Sequence, residues 1–396
     1  MKLQLSLRSK NIQKSETIRV KEKALQLKAM GIDIVDLTAG EPDFNTPQNI
    51  CAAGINAINE GFTRYTANTG TLDLRKAIIS KLQRENNLSY DINQIIVSSG
   101  AKQAISNAVL ALIEEGTEAI ILAPYWVSYL QQIRMAGAKP VIIDTSKTGF
   151  KVTPKDLQTH FTSNTRLFIF NSPSNPCGVV YTPDELADLA EVLEKQNIWI
   201  LTDEIYEKII YDGILHKSFA EFPNLYNKTV LINGVSKSYA MTGWRIGYSA
   251  APADVSEAMA KIQSHYTMPS SISQKAAFEA ISGNQTEIEK MRVQFEKRRN
   301  FLIDILKSKS DFDFVYPQGA FYIFIDISSS FGKEYNGKII SSALDFCDSL
   351  IEQQHLVVVP GNGFGSPTHL RMSFAASDEE LKEGIFRLIK GFEDLV

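Results

Sequence analysis

Short apolar runs alternate with helical patterns through the middle of this chain, and that alternation limits the possible folds more than any other feature. Residues 94–97, 119–122, 140–143, 167–170, 198–201, 229–232 and 246–250 are largely apolar runs with the length of a strand. Stretches with apolar residues at helical spacing, such as 101–113 and 183–195, fall between several of them. Buried strands joined by helical crossovers predict an α/β unit, a mostly parallel seven-stranded sheet flanked by helices. The C-terminal part has a different character. Residues 287–307 read as one long charged helix, 321–327 as a strand and 341–352 as a helix, with further strands at 357–359 and 370–374. An N-terminal helix near 18–30 is expected to pack on this second unit. The expected organisation is a large domain of residues 48–290 and a smaller α+β domain of residues 1–47 and 291–396.

Composition removes several classes of function. Net charge is −4, with 41 basic and 45 acidic residues spread along the chain, so no basic face for nucleic acid is expected. Lys297-Arg298-Arg299 reads as the solvated face of a helix. Cys51, Cys177 and Cys347 are scattered, without Cys-x-x-Cys spacing, which argues against a disulfide framework or a zinc site. The five histidines form no His-Glu-x-x-His pair, and no metal is expected. Residues 1–14 are polar and basic, unlike a secretory signal, and no stretch is apolar enough to span a bilayer. A reducing cytoplasm and no membrane contact are the expectation. No Gly-x-Gly-x-x-Gly opens a helix after a strand, which argues against a dinucleotide-binding enzyme.

Sheets of this kind bind ligands at the carboxyl ends of their strands. Gly100, Tyr125-Trp126, Asn175, Asp203 and Lys237 all fall just beyond predicted strand ends. Lys237 lies in Gly234-Val235-Ser236-Lys237-Ser238, with Arg245 a short way downstream. A partly neutral lysine amine condenses with an aldehyde. Ser236 and the planar fork of Arg245 suit a phosphate. An aldehyde and a phosphate together are what pyridoxal phosphate presents to a protein. A lysine in a Gly-flanked loop is also an ordinary solvated residue, so the other segments decide. Asp203, in Thr202-Asp203-Glu204-Ile205-Tyr206, reads either as a turn cap or as a buried carboxylate in need of a cation. A protonated pyridine nitrogen would supply that cation. Ser98-Ser99-Gly100-Ala101-Lys102 joins a strand to a helix whose first amides suit a phosphate, with Gly100 and Ala101 permitting close approach. Lys102 in that first turn opposes the helix dipole by ~0.3–1 kcal/mol, a placement that suits an anionic ligand or a solvated side chain. Arg371 stands inside the strand pattern of 370–374, where it can bind a carboxylate bidentately or face solvent.

Residues 234–247 match, position by position, the lysine signature of the class I aminotransferases, and from Gly40 to Arg371 the chain resembles the prokaryotic-type aspartate aminotransferases of that family. The resemblance implies pyridoxal 5'-phosphate as cofactor and Lys237, Asp203 and Tyr206 as the catalytic residues. It implies that Tyr206 and Asn175 donate to the phenolic oxygen of the cofactor and that Trp126 stacks on its ring. Gly100, Ala101, Ser236 and Arg245 would hold its phosphate, together with Tyr65 reaching across a homodimer interface. Arg371 and the Gly40 amide would hold the α-carboxylate of an amino-acid or 2-oxo-acid substrate. Lys102, Trp126 and Asn175 are expected to touch both cofactor and substrate. No arginine matches the distal-carboxylate residue of the animal and enteric enzymes, so Lys102 would take that role, with Ser15 or Thr17 beside it. The peptide before Pro176, in Asn175-Pro176-Cys177-Gly178, is a candidate for the cis form. The implied reaction is ping-pong transamination from aspartate to 2-oxoglutarate. Prephenate, aromatic or broad-range transamination and a β-lyase on the same fold are the alternatives. A cofactor-sensing domain would bring a helix-turn-helix region, and none is read in this sequence.

Overall fold

The computed structural model describes residues 4–12 and 16–396. Ser15 and the Thr17 side chain, both expected near the distal carboxylate, lie outside the described residues. Seven strands form the main sheet: β1 (Ile95–Ser98), β2 (Glu118–Ala123), β3 (Lys139–Asp144), β4 (Thr165–Asn171), β5 (Trp199–Asp203), β6 (Thr229–Gly234) and β7 (Gly247–Ala250). Their order is β1-β7-β6-β5-β4-β2-β3. All neighbours pair in parallel except β7, which runs antiparallel to both β1 and β6. The reason is local. Between β6 and β7 the chain forms only a loop with the 3-10 turn Thr242–Trp244, without the α-helix that usually carries a parallel crossover. That same loop carries Lys237 and Arg245.

Alternating side chains bury both faces of the sheet. Ile121, Ile169, Leu201 and Ile232 pack on Ala104 and Ala108 of helix Ala101–Leu112 and on Val255 and Met259 of helix Ala253–Ser264. Ile120, Phe168 and Ile200 face the other way, onto Leu186, Leu189 and Leu193 of helix Pro183–Glu194. That helix starts on a Thr182 cap, closed reciprocally by Glu185, with Pro183 at its first position.

A second, antiparallel sheet of four strands is centred on β8 (Tyr322–Asp326) and β9 (His369–Ser373), with Phe314–Val315 and Val359–Pro360 outside them. The expected strand at 357–359 is in fact two. Leu356–Val357 pairs in parallel with Val35–Asp36, and Val359–Pro360 pairs with β9. The chain ends are thereby tied together, and the N-terminal helix Glu16–Ala29 packs Val20 and Ala24 against Ile351 and Val357. Helix Thr286–Lys309 runs unbroken through residues 290 and 291.

One expectation fails here. Arg298 and Arg299 do not lie on a solvated face. Arg298 is buried between Asp43 and Asp378, and Arg299 is 1 % exposed, holding Asp212 with both terminal nitrogens at 2.6 and 2.7 Å. Their partners come from distant segments, so adjacent charges in the sequence carried no sign of this pairing. Only Lys297 of the three is exposed.

Candidate active site

The carboxyl ends of β1, β2, β4, β5 and β6 point to one edge of the main sheet, and a cavity of about 350 Å³ opens there against the second sheet. Strand register sets its floor. Asn171 is opposite Asp203, and Gly247 is opposite both Ser98 and Gly234. Gly40, Ala101, Lys102, Trp126, Asn175, Asp203, Tyr206, Ser236, Lys237, Arg245 and Arg371 all line this one cavity. Gly100 stands just outside it as the helix cap, with φ 84°. The positive φ favours glycine there, and a Cβ would also displace the Arg245 guanidinium. Tyr65 is not in the cavity; it is 93 % exposed.

Asp203 is buried, and among the described residues the hydrogen-bond donors to its carboxylate are the Tyr129 hydroxyl at 2.6 Å and the Ile205 amide at 3.3 Å. Burial pushes its carboxyl up to about 6, against the pull of the Tyr129 hydrogen bond. Lys237 donates to the Gly40 carbonyl. Its enclosure brings the amine down to about 8, with Glu41 pulling the other way and Arg245 and Arg371 adding to the fall. Arg371 is buried in β9. It donates to the Asn175 side-chain oxygen at 3.0 Å and to the Thr38 carbonyl at 2.9 Å, while its Nε has no partner. Burial lowers its pKa. Lys102 lies over the Trp126 ring at 5.1 Å, and burial, then repulsion from Arg245, lowers its pKa. The Tyr206 and Tyr322 hydroxyls are 2.9 Å apart. The peptide before Pro176 is cis, as are those before Pro124 and Pro173.

The arrangement has unmatched charges of both signs. Among the described lining residues, Lys102, Lys237, Arg245 and Arg371 face a single carboxylate, Asp203. A buried charge is costly unless paired. Asp203 lacks a cation, and Arg371 lacks an anion while keeping a free Nε. A protonated ring nitrogen fits the first and a carboxylate the second. The Ala101 and Lys102 amides at the start of helix Ala101–Leu112 have no carbonyl partner among the described residues, whereas Gln103 and Ala104 donate to the Gly100 carbonyl. The Ala101 and Lys102 amides, with Ser236 and Arg245, suit a phosphate. The residues present therefore fit pyridoxal phosphate.

Several lining residues had gone unnoticed in the sequence. Tyr129 follows Trp126 by three positions at the start of helix Val127–Met135, and the two rings meet edge to face at 5.2 Å. That spacing was a usable signal. Asn171, which donates to the Asp203 carbonyl at 2.8 Å and accepts from the Asn175 amide at 2.9 Å, is identified only by register. Tyr322 reaches Arg371 from the neighbouring strand β8 and Phe364 from the 3-10 turn Gly361–Phe364 just before β9, and neither left a local signal.

Comparison with known proteins agrees with this geometry. The family model described as aminotransferase class I and II matches residues 32–388. An aspartate aminotransferase of Bacillus sp. (strain YM-2) is 44% identical over 391 residues, covering 98% of this chain and 99% of that protein. An aspartate/prephenate aminotransferase of Cereibacter sphaeroides is 44% identical over 382 residues, covering 95% and 96%. The crystal structure of the aspartate aminotransferase from Rhizobium meliloti superposes with a TM-score of 0.96 at 40% identity, covering 100% of both chains. A cavity floored by a lysine, a buried aspartate and a buried arginine thus sits in a chain whose whole length follows that of these enzymes, and the chain belongs to the class I and II aminotransferases.

Proposed function

We propose that this aminotransferase moves the amino group of L-aspartate to 2-oxoglutarate, releasing oxaloacetate and glutamate, with pyridoxal 5'-phosphate as the carrier. The observation that carries the reading is the pair of uncompensated buried charges, Asp203 and Arg371, on either side of Lys237. The full-length relatives named for aspartate support the choice of substrate.

When bound, pyridoxal phosphate supplies an aldehyde for the amine and a cationic ring that accepts the electron pair left at the α-carbon. The chain supplies the rest. Lys237, brought to about 8, is poised near neutral pH to take the α-proton and deliver it to the former aldehyde carbon of the cofactor. Asp203 keeps a proton on the ring nitrogen. Tyr206 and Asn175 donate to the phenolic oxygen, and Trp126 covers the ring face. Gly100, Ala101, Ser236 and Arg245 hold the phosphate, joined by Tyr65 of a second copy in a homodimer. Arg371 and the Gly40 amide fix the α-carboxylate, which orients the hydrogen to be removed. Lys102 takes the distal carboxylate. Residues 48–290 would form the cofactor-binding domain, and residues 1–47 with 291–396 the smaller domain that faces the substrate.

No described helix is long and apolar enough to cross a membrane, and Cys51, Cys177 and Cys347 form no disulfide with one another. A cytoplasmic setting is part of the proposal. Prephenate as amino acceptor is the second reading, because a relative of equal identity is named for both substrates.

The test is a half-reaction. The cofactor-loaded protein is mixed with L-aspartate and no oxo acid, and its visible absorption and the oxaloacetate released are followed. One oxaloacetate per site with loss of the lysine-bound absorption is expected. Lysine-bound absorption that aspartate leaves unchanged would discard aspartate and turn the search to prephenate with other donors. Lys237→Ala should lower turnover by more than about 10³-fold.

A further inference from the structure

Tyr322 touches three parts of the site at once. It is fully buried in β8, one strand from Arg371 on β9. Its ring centroid lies 4.3 Å from the Arg371 guanidinium carbon. Its hydroxyl is 2.9 Å from that of Tyr206. A Cβ at Gly40 would stand 3.7 Å from the same hydroxyl, so the Gly40 backbone adjoins it too. Neither the matching family segments nor the strand pattern singled this residue out.

Hydrogen counting gives the pair a direction. A tyrosine hydroxyl has one hydrogen to donate and can still accept. If Tyr206 directs its hydrogen at the phenolic oxygen of the cofactor, the 2.9 Å contact survives only with Tyr322 as donor. A donor aimed at Tyr206 polarises its O–H, and chained hydrogen bonds strengthen one another in a low-dielectric interior. The ring of the same residue gives the Arg371 guanidinium a π-face in place of a counter-ion.

We propose that Tyr322 is a positioning residue that couples the two halves of the site, its hydroxyl donating to Tyr206 and so reinforcing Tyr206 as a donor to the cofactor, while its ring seats Arg371. The inference rests on the roles proposed above for Tyr206 and Arg371. It assigns Tyr322 no contact with the reacting atoms.

The experiment is a double-mutant cycle on the cofactor-loaded protein, made of wild type, Tyr322→Phe, Tyr206→Phe and the double variant. The readout is the pH midpoint of the visible absorption of lysine-bound cofactor, without substrate. Donors to the phenolic oxygen favour its anionic form, so losing one raises the midpoint. Tyr322→Phe should raise it by roughly half a pH unit, less than Tyr206→Phe does. In the Tyr206→Phe background the same change should move it hardly at all, which a merely structural role would not produce. Phenylalanine keeps the ring beneath Arg371, so KM for aspartate should change less than twofold. Equal shifts in both backgrounds, or no shift in either, would overturn the coupling and leave the proposed function standing. A wild-type protein without lysine-bound absorption, or a Tyr206→Phe midpoint equal to wild type, would overturn the cofactor assignments and this inference with them.

Discussion

Asp203 and Arg371 put charge where a folded chain can least tolerate it unpaired. Asp203 is held by two neutral donors, and its carboxyl sits at about 6 rather than 3.8. A carboxyl raised on folding binds more protons in the native state between those values, so native stability falls as pH rises from about 4 to 6. The gap corresponds to about 3 kcal/mol once the group is ionised. Asp203→Asn keeps an acceptor for Tyr129 and removes the charge. In the cofactor-free protein it should raise Tm by a few degrees at pH 7–8 and leave it unchanged near pH 4, while abolishing transamination by the loaded enzyme. Scanning calorimetry at the two pH values checks this, and an equal gain at both would mean that burial of the charge is not the cause. At this scale much was readable in advance. Lys237, Asp203, Asn175 and Arg371 each stand in a short segment whose neighbours restrict its use. Their partners were not readable, because Thr38 and Gly40, which accept hydrogen bonds, and Tyr322, whose ring meets Arg371, lie far along the chain from the groups they touch.

The turn after β5 shows how an element holds side chains in the cavity. Residues 203–207 send Asp203 and Tyr206 into the cavity, while Glu204 and Glu207 turn away from it into a second polar cluster. Glu204 accepts from Thr202 at 3.0 Å and pairs with His216 at 2.9 Å. Glu207 meets Lys81, which is 2 % exposed in helix Leu72–Asn86 and donates also to Asn86 at 2.8 Å. Burial would push Glu207 up, but Lys81 and then His216 bring it to about 2. Burial would lower His216, and Glu204 more than offsets it. Glu204, Glu207 and His216 have ligand atoms within 4.8 Å of one another, yet the Lys81 ammonium already provides the positive charge. Lys81→Met should cost roughly 3–5 kcal/mol at pH 7, because it strands a buried carboxylate. Glu207 in wild type is favoured as the anion above its ordinary range, and that stability is lost as pH falls toward about 2. The penalty of Lys81→Met should accordingly shrink at pH 5, where the stranded carboxyl can take a proton. Urea midpoints at both pH values measure it; a penalty that grows on acidification would contradict this account. The Asp-Glu-x-Tyr segment was legible as a site, but its anchoring was not, since Lys81 reads locally as one more lysine on an amphipathic helix.

At the scale of the molecule, the cavity exists only because two sheets meet. The main sheet and its loops supply Ala101, Ser236, Arg245, Asp203 and Lys237, and the second sheet supplies Arg371 and Tyr322. Tyr65 lies outside this meeting and is 93 % exposed in a single chain. If it completes the phosphate site of a second copy, mixed dimers of Lys237→Ala and Tyr65→Ala chains contain one intact site, with lysine and tyrosine from different chains. Mixing the two weak variants should therefore restore tight cofactor binding and turnover, whereas a tyrosine acting within its own chain would restore neither. The sequence by itself determined the seven strands of the main sheet, the helices between them and the segments bearing chemistry, because strand periodicity, glycine caps and the lysine signature are local patterns. Tertiary structure alone decided which residues complete the site. The burial of Arg298 and Arg299, the Tyr129 donor to Asp203 and the seat of Arg371 on Tyr322 all depend on partners remote in sequence. Charge and polarity are compensated through space, and a residue's distance along the chain says nothing of the neighbour that will meet it.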